Sequence, residues 1–128
     1  MSEVWSQENK YRKWLDVEML ACEAMARLGK IPQKSLRNIK NKVAIRTERI
    51  DEIEKTTRHD VIAFLTSLTE AVGEDGRFIH MGMTSSDVLD TAFAVQLKEA
   101  AELLLEDIDV LLLVLMAGRM LYSALPPL

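Results

Sequence analysis

The stretch that decides the fold covers residues 85–117 and reads SSDVLDTAFAVQLKEAAELLLEDIDVLLLVLMA. It contains no glycine and no proline, the two residues least compatible with a helix interior, and the next glycine is Gly118. The stretch therefore predicts one helix of about 45 Å, because each residue advances a helix by roughly 1.5 Å.

The two halves of this helix differ in polarity. The first half is amphipathic, with an apolar face opposite a charged face. The predicted apolar face holds Val88, Ala92, Val95, Leu103 and Leu104, and the charged face holds Asp90, Lys98, Glu99, Glu102 and Glu106. Residues 110–117 are apolar on every face, a pattern typical of a helix that is buried all round.

A helix of this kind needs a covering surface that a chain of 128 residues can hardly supply. Burying one leucine contributes about 2 kcal/mol, so leaving about six such side chains in water would forfeit on the order of 10 kcal/mol. We therefore expect a homo-oligomer that forms through the Leu-rich helix 103–117, or a further part of the chain that covers it. A core helix buried within this same chain is the alternative.

The sequence before residue 85 predicts shorter helices and carries few strand signals. Apolar residues recur at three- and four-residue steps over residues 7–28, with Gly29 positioned to end that helix and Pro32 beyond it. A second helix is expected to begin near Pro32 or Ser35, and a third, short one to run from Thr47 through Ile53. The predicted fold class is therefore all-α.

Two cap-like motifs precede the last two helices. Thr57-x-x-Asp60 resembles a capping box ahead of the apolar run 61–72, which Gly73 ends. A loop over residues 74–83 follows, and Thr84-x-x-Asp87 gives a second start of the same kind. We divide the chain into an N-terminal helical domain at 1–84, the first long helix of a bundle at 85–120 and an atypical tail at 121–128.

Composition and charge exclude several classes of protein. The net charge is −4 and no basic stripe is present, which argues against nucleic-acid binding through phosphate contacts. The single cysteine, Cys22, lies in an apolar helical stretch and is interpreted as a buried structural thiol that suits a reducing cytoplasm. Residues 1–6 carry no signal-peptide pattern, and the run 110–117 falls short of the roughly 20 residues of a membrane span. We therefore expect a soluble cytoplasmic protein with no membrane contact.

Both histidines, His59 and His80, lie in short polar segments just ahead of a helix. A helix start offers backbone N–H groups without intrahelical partners and the positive end of the macrodipole, so these segments suit an anionic ligand. Histidine can also transfer a proton near neutral pH, and Asp60 is positioned to orient His59. The alternative is that both histidines are structural or capping residues. No metal site is predicted, because the chain has no Cys cluster and no His-x-x-x-His spacing.

Three groups of residues carry a resemblance to a known family. They are Trp14-Leu15-Asp16-Val17-Glu18 with Ala21-Cys22-Glu23-Ala24 and Leu28-Gly29-Lys30-Ile31-Pro32, then Ile53-Glu54-Lys55-Thr56-Thr57-Arg58-His59-Asp60-Val61, then His80-Met81-Gly82-Met83-Thr84-Ser85-Ser86-Asp87-Val88-Leu89-Asp90-Thr91-Ala92. From about Trp5 to about Asp109 the chain resembles the N-terminal domain of the bacterial adenylosuccinate lyases, a family of the fumarase/aspartase superfamily. The resemblance implies a homotetramer whose core is a bundle of long helices from all subunits, with active sites assembled from several of them.

The activity that the resemblance implies is a β-elimination in purine biosynthesis. The family releases fumarate from adenylosuccinate to leave AMP, and from the related succinyl-carboxamide intermediate, without a metal or an organic cofactor. A base removes a carbon-bound proton beside a carboxylate while positive groups stabilise the charged intermediate, and a general acid serves the leaving nitrogen.

The resemblance also implies the candidate site residues. The segment Arg58-His59-Asp60 matches the family's substrate-binding Arg-His-Asp, in which His59 is the catalytic residue that contacts the substrate and assists the general acid. His80 would lie beside the nucleotide phosphate. Thr84 and Ser85 match the Thr-Ser pair that binds the fumarate-side carboxylate. For Thr84 and Ser86 the alternative is simple helix capping.

The chain departs from the family pattern at both ends. The family opens with an Arg-Tyr pair followed by proline, which helps to bind the nucleotide phosphate. This sequence begins with Met1-Ser2-Glu3 and does not contain that motif. Where the family carries Gly-Arg-Thr-His with a catalytic histidine, this chain reads Gly118-Arg119-Met120, and it does not reach the serine loop that supplies the base. We therefore expect an N-terminal fragment that is inactive alone.

Two further interpretations stay open. One is a truncated or frame-shifted lyase sequence in which the tail 121–128 is foreign to the family. The other is a non-catalytic helical oligomerisation or interaction module that keeps the lyase fold.

Overall fold

The computed structural model describes residues 1–123, and the side chains of residues 1–120. These residues form five α-helices and a short 3-10 helix, with no strand among them. In chain order they are α1 (Gln7–Arg27), α2 (Gln33–Lys42), α3 (Thr47–Thr57), α4 (Asp60–Val72), the 3-10 helix Glu74–Phe78 and α5 (Ser85–Ser123). The predicted all-α fold class is confirmed.

The ends of α1 follow from its sequence. At the start, the Ser6 hydroxyl accepts a hydrogen bond from a backbone N–H of the first turn at 3.1 Å. At the other end, the Gly29 N–H donates to the Ala26 carbonyl at 3.1 Å, and the Lys30 N–H donates to the Met25 carbonyl at 2.9 Å. This pair of bonds is a Schellman motif, and it requires the φ of +72° that Gly29 adopts. The predicted helix end at Gly29 is confirmed.

Three aromatic side chains form the centre of the core between α1 and α4. Tyr11 and Phe64 stack with ring centroids 5.8 Å apart, and Trp14 meets each of them edge-on at 5.4 Å. Aromatic pairs in these geometries contribute about 0.5–1.5 kcal/mol beyond the burial of their area. The aliphatic residues buried around them are Ile31, Leu36, Ile39, Ile50, Ile53, Val61, Leu68, Val72, Ile79 and Val88.

The junction between α3 and α4 corrects one prediction. Thr57 is the last residue of α3, and its hydroxyl donates to the Ile53 carbonyl at 3.2 Å. Arg58 adopts a left-handed conformation with φ of 52°, and His59 is the N-cap of α4. The capping-box interpretation of Thr57-x-x-Asp60 is therefore wrong. The reason is that the junction consists of only Arg58 and His59, so Thr57 remains on the α3 side.

The long helix α5 packs antiparallel to α1. Near the N-terminus of the chain, the Gln96 amide donates to the Val4 carbonyl at 2.7 Å, and Lys13 forms an ion pair with Glu99. The face of α5 that is buried in this contact consists of Val88, Ala92, Gln96 and Ala100. We call the row of these four residues the contact line. Each residue advances a helix by about 100°, so a step of four residues makes one full turn plus roughly 40°. The contact line therefore turns gradually around α5.

This drift of the contact line corrects a second prediction. Val95 and Leu104, which the sequence pattern assigned to the same face as Val88, are 39% and 53% exposed. The contact line has moved away from Val95 by the time it reaches that level of the helix. Leu104 lies beyond Ala100, the last buried residue of α5 up to residue 120.

The helix α5 is also longer than expected. It runs for 39 residues without a break at Gly118 and includes residues 121–123, which the sequence assigned to the tail. The rest of that predicted tail, 124–128, lies outside the described residues. The division of the chain into domains stays a prediction. No helix in the described part of the chain has both the length and the apolar character that crossing a membrane requires.

Replacing Phe64 by alanine is expected to lower the free energy of unfolding by about 3–5 kcal/mol, because a fully buried ring is exchanged for a cavity. The matched control is Ile62→Ala on the same helix, where 48% of the residue is exposed and the change should stay near 0.5 kcal/mol. Urea denaturation followed by circular dichroism measures both. Equal losses in the two variants would contradict a core centred on Phe64.

Candidate active-site segments

The first candidate segment, Arg58-His59-Asp60, spans the α3–α4 junction. His59 caps α4 with its ring, because Nδ1 accepts a hydrogen bond from the Ile62 N–H at 3.4 Å. A ring nitrogen that accepts carries no proton, so the neutral ring holds its proton on Nε2. The His59 side chain is 43% exposed, which leaves Nε2–H available as a donor to a ligand.

The two neighbours of His59 differ in how they are held. Asp60 accepts a hydrogen bond from the Val61 N–H at 2.7 Å. The distance from Asp60 Oδ1 to His59 Nδ1 is 3.7 Å, which is too long for a hydrogen bond. The α4 backbone therefore orients the ring of His59 in this structure. An orienting role of Asp60 toward protonated His59 stays a prediction. Arg58 is exposed and forms no ion pair with any described residue, so its guanidinium is free to bind an anion.

An open cleft lies beside Arg58. It has a volume of about 460 Å³ and is lined by Asp51, Glu54, Lys55 and Arg58. Two carboxylates and two cations give this cleft no net charge. A ligand with both negative groups and hydrogen-bond donors would find partners on its walls.

The second candidate segment, residues 80–85, is anchored to α1 by a buried carboxylate. Glu18 has no exposed surface. Its Oε2 accepts a hydrogen bond from the His80 N–H at 2.9 Å, and its Oε1 lies 2.6 Å from His80 Nδ1. His80 has φ of +64°, a left-handed conformation that costs free energy for a residue with a Cβ. The paired bonds from Glu18 hold it in that conformation.

The sequence pattern did not predict the contact between Glu18 and His80. Its signal is its position on the buried face of α1, four residues after Trp14 and four before Cys22, which are 3% and 2% exposed. A glutamate in the middle of an apolar face must find partners for both carboxylate oxygens. The periodicity that predicted α1 does not say where those partners lie.

Thr84 and Ser85 lie at the start of α5. The Asp87 carboxylate accepts a bond from the Thr84 N–H at 2.8 Å, and the Asp87 N–H donates to the Thr84 carbonyl at 3.0 Å. The predicted helix start at Thr84-x-x-Asp87 is confirmed. The N–H groups of Ser85 and Ser86 have no hydrogen-bond partner among residues 1–120. They are a set of donors suited to a carboxylate or phosphate.

The two segments lie at different levels along α1. Tyr11, which stacks on Phe64 near the start of α4, marks the level of the first segment, and Glu18 marks the level of His80. Seven residues of helix separate these levels by about 10 Å. No hydrogen bond or ion pair joins the two segments in the described part of the chain.

The remaining reactive groups do not add to either segment. Cys22 is buried and its thiol donates to the Phe78 carbonyl at 3.7 Å, while burial, with a smaller effect of Glu18, raises the pKa of the thiol to about 11. The interpretation of Cys22 as a structural thiol is confirmed. Among the described residues, no group of three or more His, Cys, Asp and Glu side chains is arranged to hold a metal ion.

A sequence profile of the lyase family matches residues 1–118. The chain belongs to the lyase family. Its relatives include the adenylosuccinate lyase of Aquifex aeolicus (strain VF5), which is 52% identical over 112 residues, covering 85% of this chain and 26% of the relative. The adenylosuccinate lyase of Synechocystis sp. (strain ATCC 27184 / PCC 6803 / Kazusa) is 51% identical over 112 residues, with 88% and 26% covered. That of Bacillus subtilis (strain 168) is 46% identical over 109 residues, with 85% and 25% covered.

These matches confirm the resemblance to the adenylosuccinate lyases, and the chain spans about a quarter of the length of these relatives. Among solved structures, the fold is similar to the crystal structure of fumarate lyase from Mesorhizobium sp. BNC1, with a TM-score of 0.76 and 25% sequence identity. The likeness covers 84% of this chain and 26% of that chain. The predicted helical fold of the fumarase/aspartase-type lyases is confirmed by this likeness.

The single cysteine of this lyase-family chain is expected to resist alkylation by iodoacetamide. Because the thiolate is the nucleophile, a rise in the pKa from 9.0 to about 11 lowers the reactive fraction about a hundredfold at pH values below 9. The neutral buried thiol contributes stability below pH 9, and this contribution is lost as the pH rises toward 11. Mass spectrometry of the alkylated chain measures the rate, with the urea-unfolded chain as control. Equal rates in the two states at pH 8 would contradict this assignment.

Proposed function

We propose that the chain is the N-terminal part of an adenylosuccinate lyase and supplies substrate-binding groups for the release of fumarate in purine biosynthesis. The observation that carries the proposal is the identity of 52% and 51% to enzymes of that name over 112 residues. An alignment of that length within 128 residues spans both candidate segments. In the proposed reaction a base removes the proton from the carbon beside a carboxylate, the electron pair forms the double bond of fumarate, and the carbon–nitrogen bond breaks.

The substrate of this reaction carries a phosphate and two carboxylates, so its recognition requires hydrogen-bond donors and cations. We assign the fumarate-side carboxylate to Thr84 and Ser85, supported by the unpaired N–H groups at the start of α5. We assign the nucleotide phosphate to His80, which reaches the surface with 21% of its side chain. We assign Arg58, an exposed cation at the other segment, to substrate binding.

We assign His59 the role of a substrate contact that assists the general acid, with Asp60 stabilising its charged form. Support comes from the geometry of the His59 ring. Since Nδ1 accepts from the α4 backbone, Nε2–H is the group that faces solvent, and it can donate a hydrogen bond to the substrate. A donor of this kind is suited to the nitrogen that leaves or to a carboxylate of the succinyl group.

A complete site under this proposal needs groups beyond those in the chain. The Arg-His-Asp and Thr-Ser segments bind and orient, while the sequence contains no Gly-Arg-Thr-His segment and no serine loop that would supply the acid and the base. We therefore expect the 128-residue chain to bind substrate without turnover. We assign the parent enzyme to the cytoplasm, where a free thiol such as Cys22 stays reduced.

We further propose that the Leu-rich helix 103–117 joins copies of this chain into a homo-oligomer. Support comes from the exposed apolar residues of α5, which are Leu104, Leu105, Ile108, Val110, Leu111, Leu112, Leu113, Val114, Leu115 and Met116, each at least 51% exposed. A surface of this extent on a soluble chain marks an interaction site. The same surface favours a second candidate function, a non-catalytic oligomerisation module with the lyase fold.

Replacing His59 by asparagine should separate binding from capping. Asparagine is a good N-cap, so the free energy of unfolding should change by less than about 0.5 kcal/mol, while loss of the imidazole should weaken adenylosuccinate binding by about tenfold. Titration calorimetry measures the affinity, urea denaturation measures the stability, and an enzyme assay of the unmodified chain should show no fumarate release. Unchanged affinity with unchanged stability would make His59 a helix cap only. Steady fumarate release by the pure chain would contradict the proposed division of roles.

Replacing Leu112 and Leu115 together by glutamate should dissociate the oligomer, because each charge would have to be buried in an apolar interface. Sedimentation velocity over a range of concentrations measures the assembly. The matched control is Leu20→Glu on α1, where 64% of the residue is exposed and no change is expected. If the unmodified chain sediments as a monomer at every concentration, the proposal is contradicted.

A further inference from the structure

We propose that Glu18 is a positioning residue that holds the His80 ring with a proton on Nδ1 and with Nε2 turned toward the surface. In its charged form His80 would then present Nε2–H to an anionic group of the ligand. The identity of that ligand, a nucleoside monophosphate, rests on the proposed function above. The state of the ring does not, since it is a property of this chain.

The proton on Nδ1 follows from the partners of the carboxylate. One oxygen of Glu18 accepts the His80 N–H at 2.9 Å, and the other lies 2.6 Å from the ring Nδ1. Because Glu18 has no exposed surface, water cannot reach the second oxygen. A buried carboxylate oxygen without a donor is strongly unfavourable, so Nδ1 supplies the hydrogen.

The backbone bond and the ring bond together fix the direction of the ring. Both go to the same carboxylate, so His80 is held at its main chain and at its side chain by one partner. The left-handed φ of +64° brings these two groups of His80 onto the same side. Nδ1 faces the buried Glu18, and the side chain of His80 is 21% exposed, so the proposal assigns the exposed part to the Nε2 side of the ring.

The two histidines of the chain are therefore held in opposite ways. Nδ1 of His59 accepts from the Ile62 N–H, whereas Nδ1 of His80 donates to Glu18. When its ring is charged, His80 directs Nε2–H outward while the Glu18 carboxylate stabilises the positive charge. This arrangement suits a phosphate oxygen, which accepts hydrogen bonds and favours a cation.

The test is nitrogen-15 NMR of the two imidazole rings, recorded at a pH high enough for the spectra themselves to show both rings neutral. Comparison with the His59→Asn variant assigns the His80 signals. In the unmodified chain the His80 signals should show a protonated Nδ1 and a bare Nε2. Rapid exchange between the two tautomers, or a proton on Nε2, would overturn the proposal. This measurement uses the unmodified side chain of Glu18, so it does not depend on whether a Glu18 variant folds.

The Glu18→Gln variant makes the test sharper because glutamine reverses the ring bond. Its carbonyl can still accept the His80 N–H, but its amide group must donate to Nδ1, so the ring proton should move to Nε2. The matched control is Glu23→Gln on the same helix, whose carboxylate pairs with Lys40 at 2.6 Å and should leave the His80 signals unchanged. A His80 tautomer that stays the same in a folded Glu18→Gln chain would overturn the proposal.

A second measurement separates this inference from the proposed function. The affinity for AMP should fall about tenfold in Glu18→Gln, because the glutamine amide no longer stabilises the charged His80 ring and leaves only a neutral Nε2–H donor. The affinity should stay constant in Glu23→Gln. Competition by inorganic phosphate tests whether the phosphate group is the part that His80 binds. If the tautomer reverses while AMP affinity is unchanged, the positioning role toward the ligand is overturned. If the unmodified chain binds no AMP but shows the Nδ1 proton, the ligand assignment fails and the fixed ring is upheld.

Discussion

Burial of the Glu18 carboxylate is the constraint on which the rest of the arrangement depends. A carboxylate without exposed surface needs hydrogen-bond donors for both oxygens, and both come from His80. His80 is consequently fixed against α1 in a left-handed conformation, and only four residues separate it from Ser85, the first residue of α5. One interaction in the core therefore sets both the direction of a candidate ligand-binding ring and the point from which the long helix departs.

The long helix links this compact part of the chain to its assembly. Up to Ala100, α5 packs on α1, and its residues Val88 and Ala92 belong to the same core as the aromatic cluster. From Leu104 to Leu115 its leucines and valines are exposed on all sides, so α5 carries an apolar surface that the described part of the chain does not cover. The likeness in fold to a fumarate lyase and the coverage of about a quarter of each relative agree with a chain that forms one piece of a larger helical enzyme.

Much of the fold could be predicted from the sequence because it depends on local rules. Glycine at position 29 ends α1 through a conformation that other residues adopt only at a cost, and the apolar periodicity locates every α-helix. The errors arose where tertiary geometry decides. Thr57 has the chemistry of a cap but lies two residues before His59, the actual N-cap of α4. Val95 was assigned to the same helical face as Val88 but is exposed, because it does not lie on the side of α5 that meets α1.

The candidate segments could be named from the sequence, whereas the contacts that hold their side chains could not. His59 and His80 stand out by residue type and by their position before helices, whereas the opposite ways in which their Nδ1 atoms are used depend on Ile62 and Glu18. Glu18 is far from His80 in sequence, and no local pattern connects them. The family resemblance was strong enough to name the residues, and only the folded chain shows what holds them.

The most direct test of the account is to map the backbone amide NMR shifts of the chain during a titration with adenylosuccinate. The account predicts that the amides of residues 58–61 and of residues 80–86 move together and saturate with one dissociation constant, although no hydrogen bond or ion pair joins the two segments among the described residues. Movement of only one segment, or of neither in a folded chain, would contradict the claim that both belong to one substrate site.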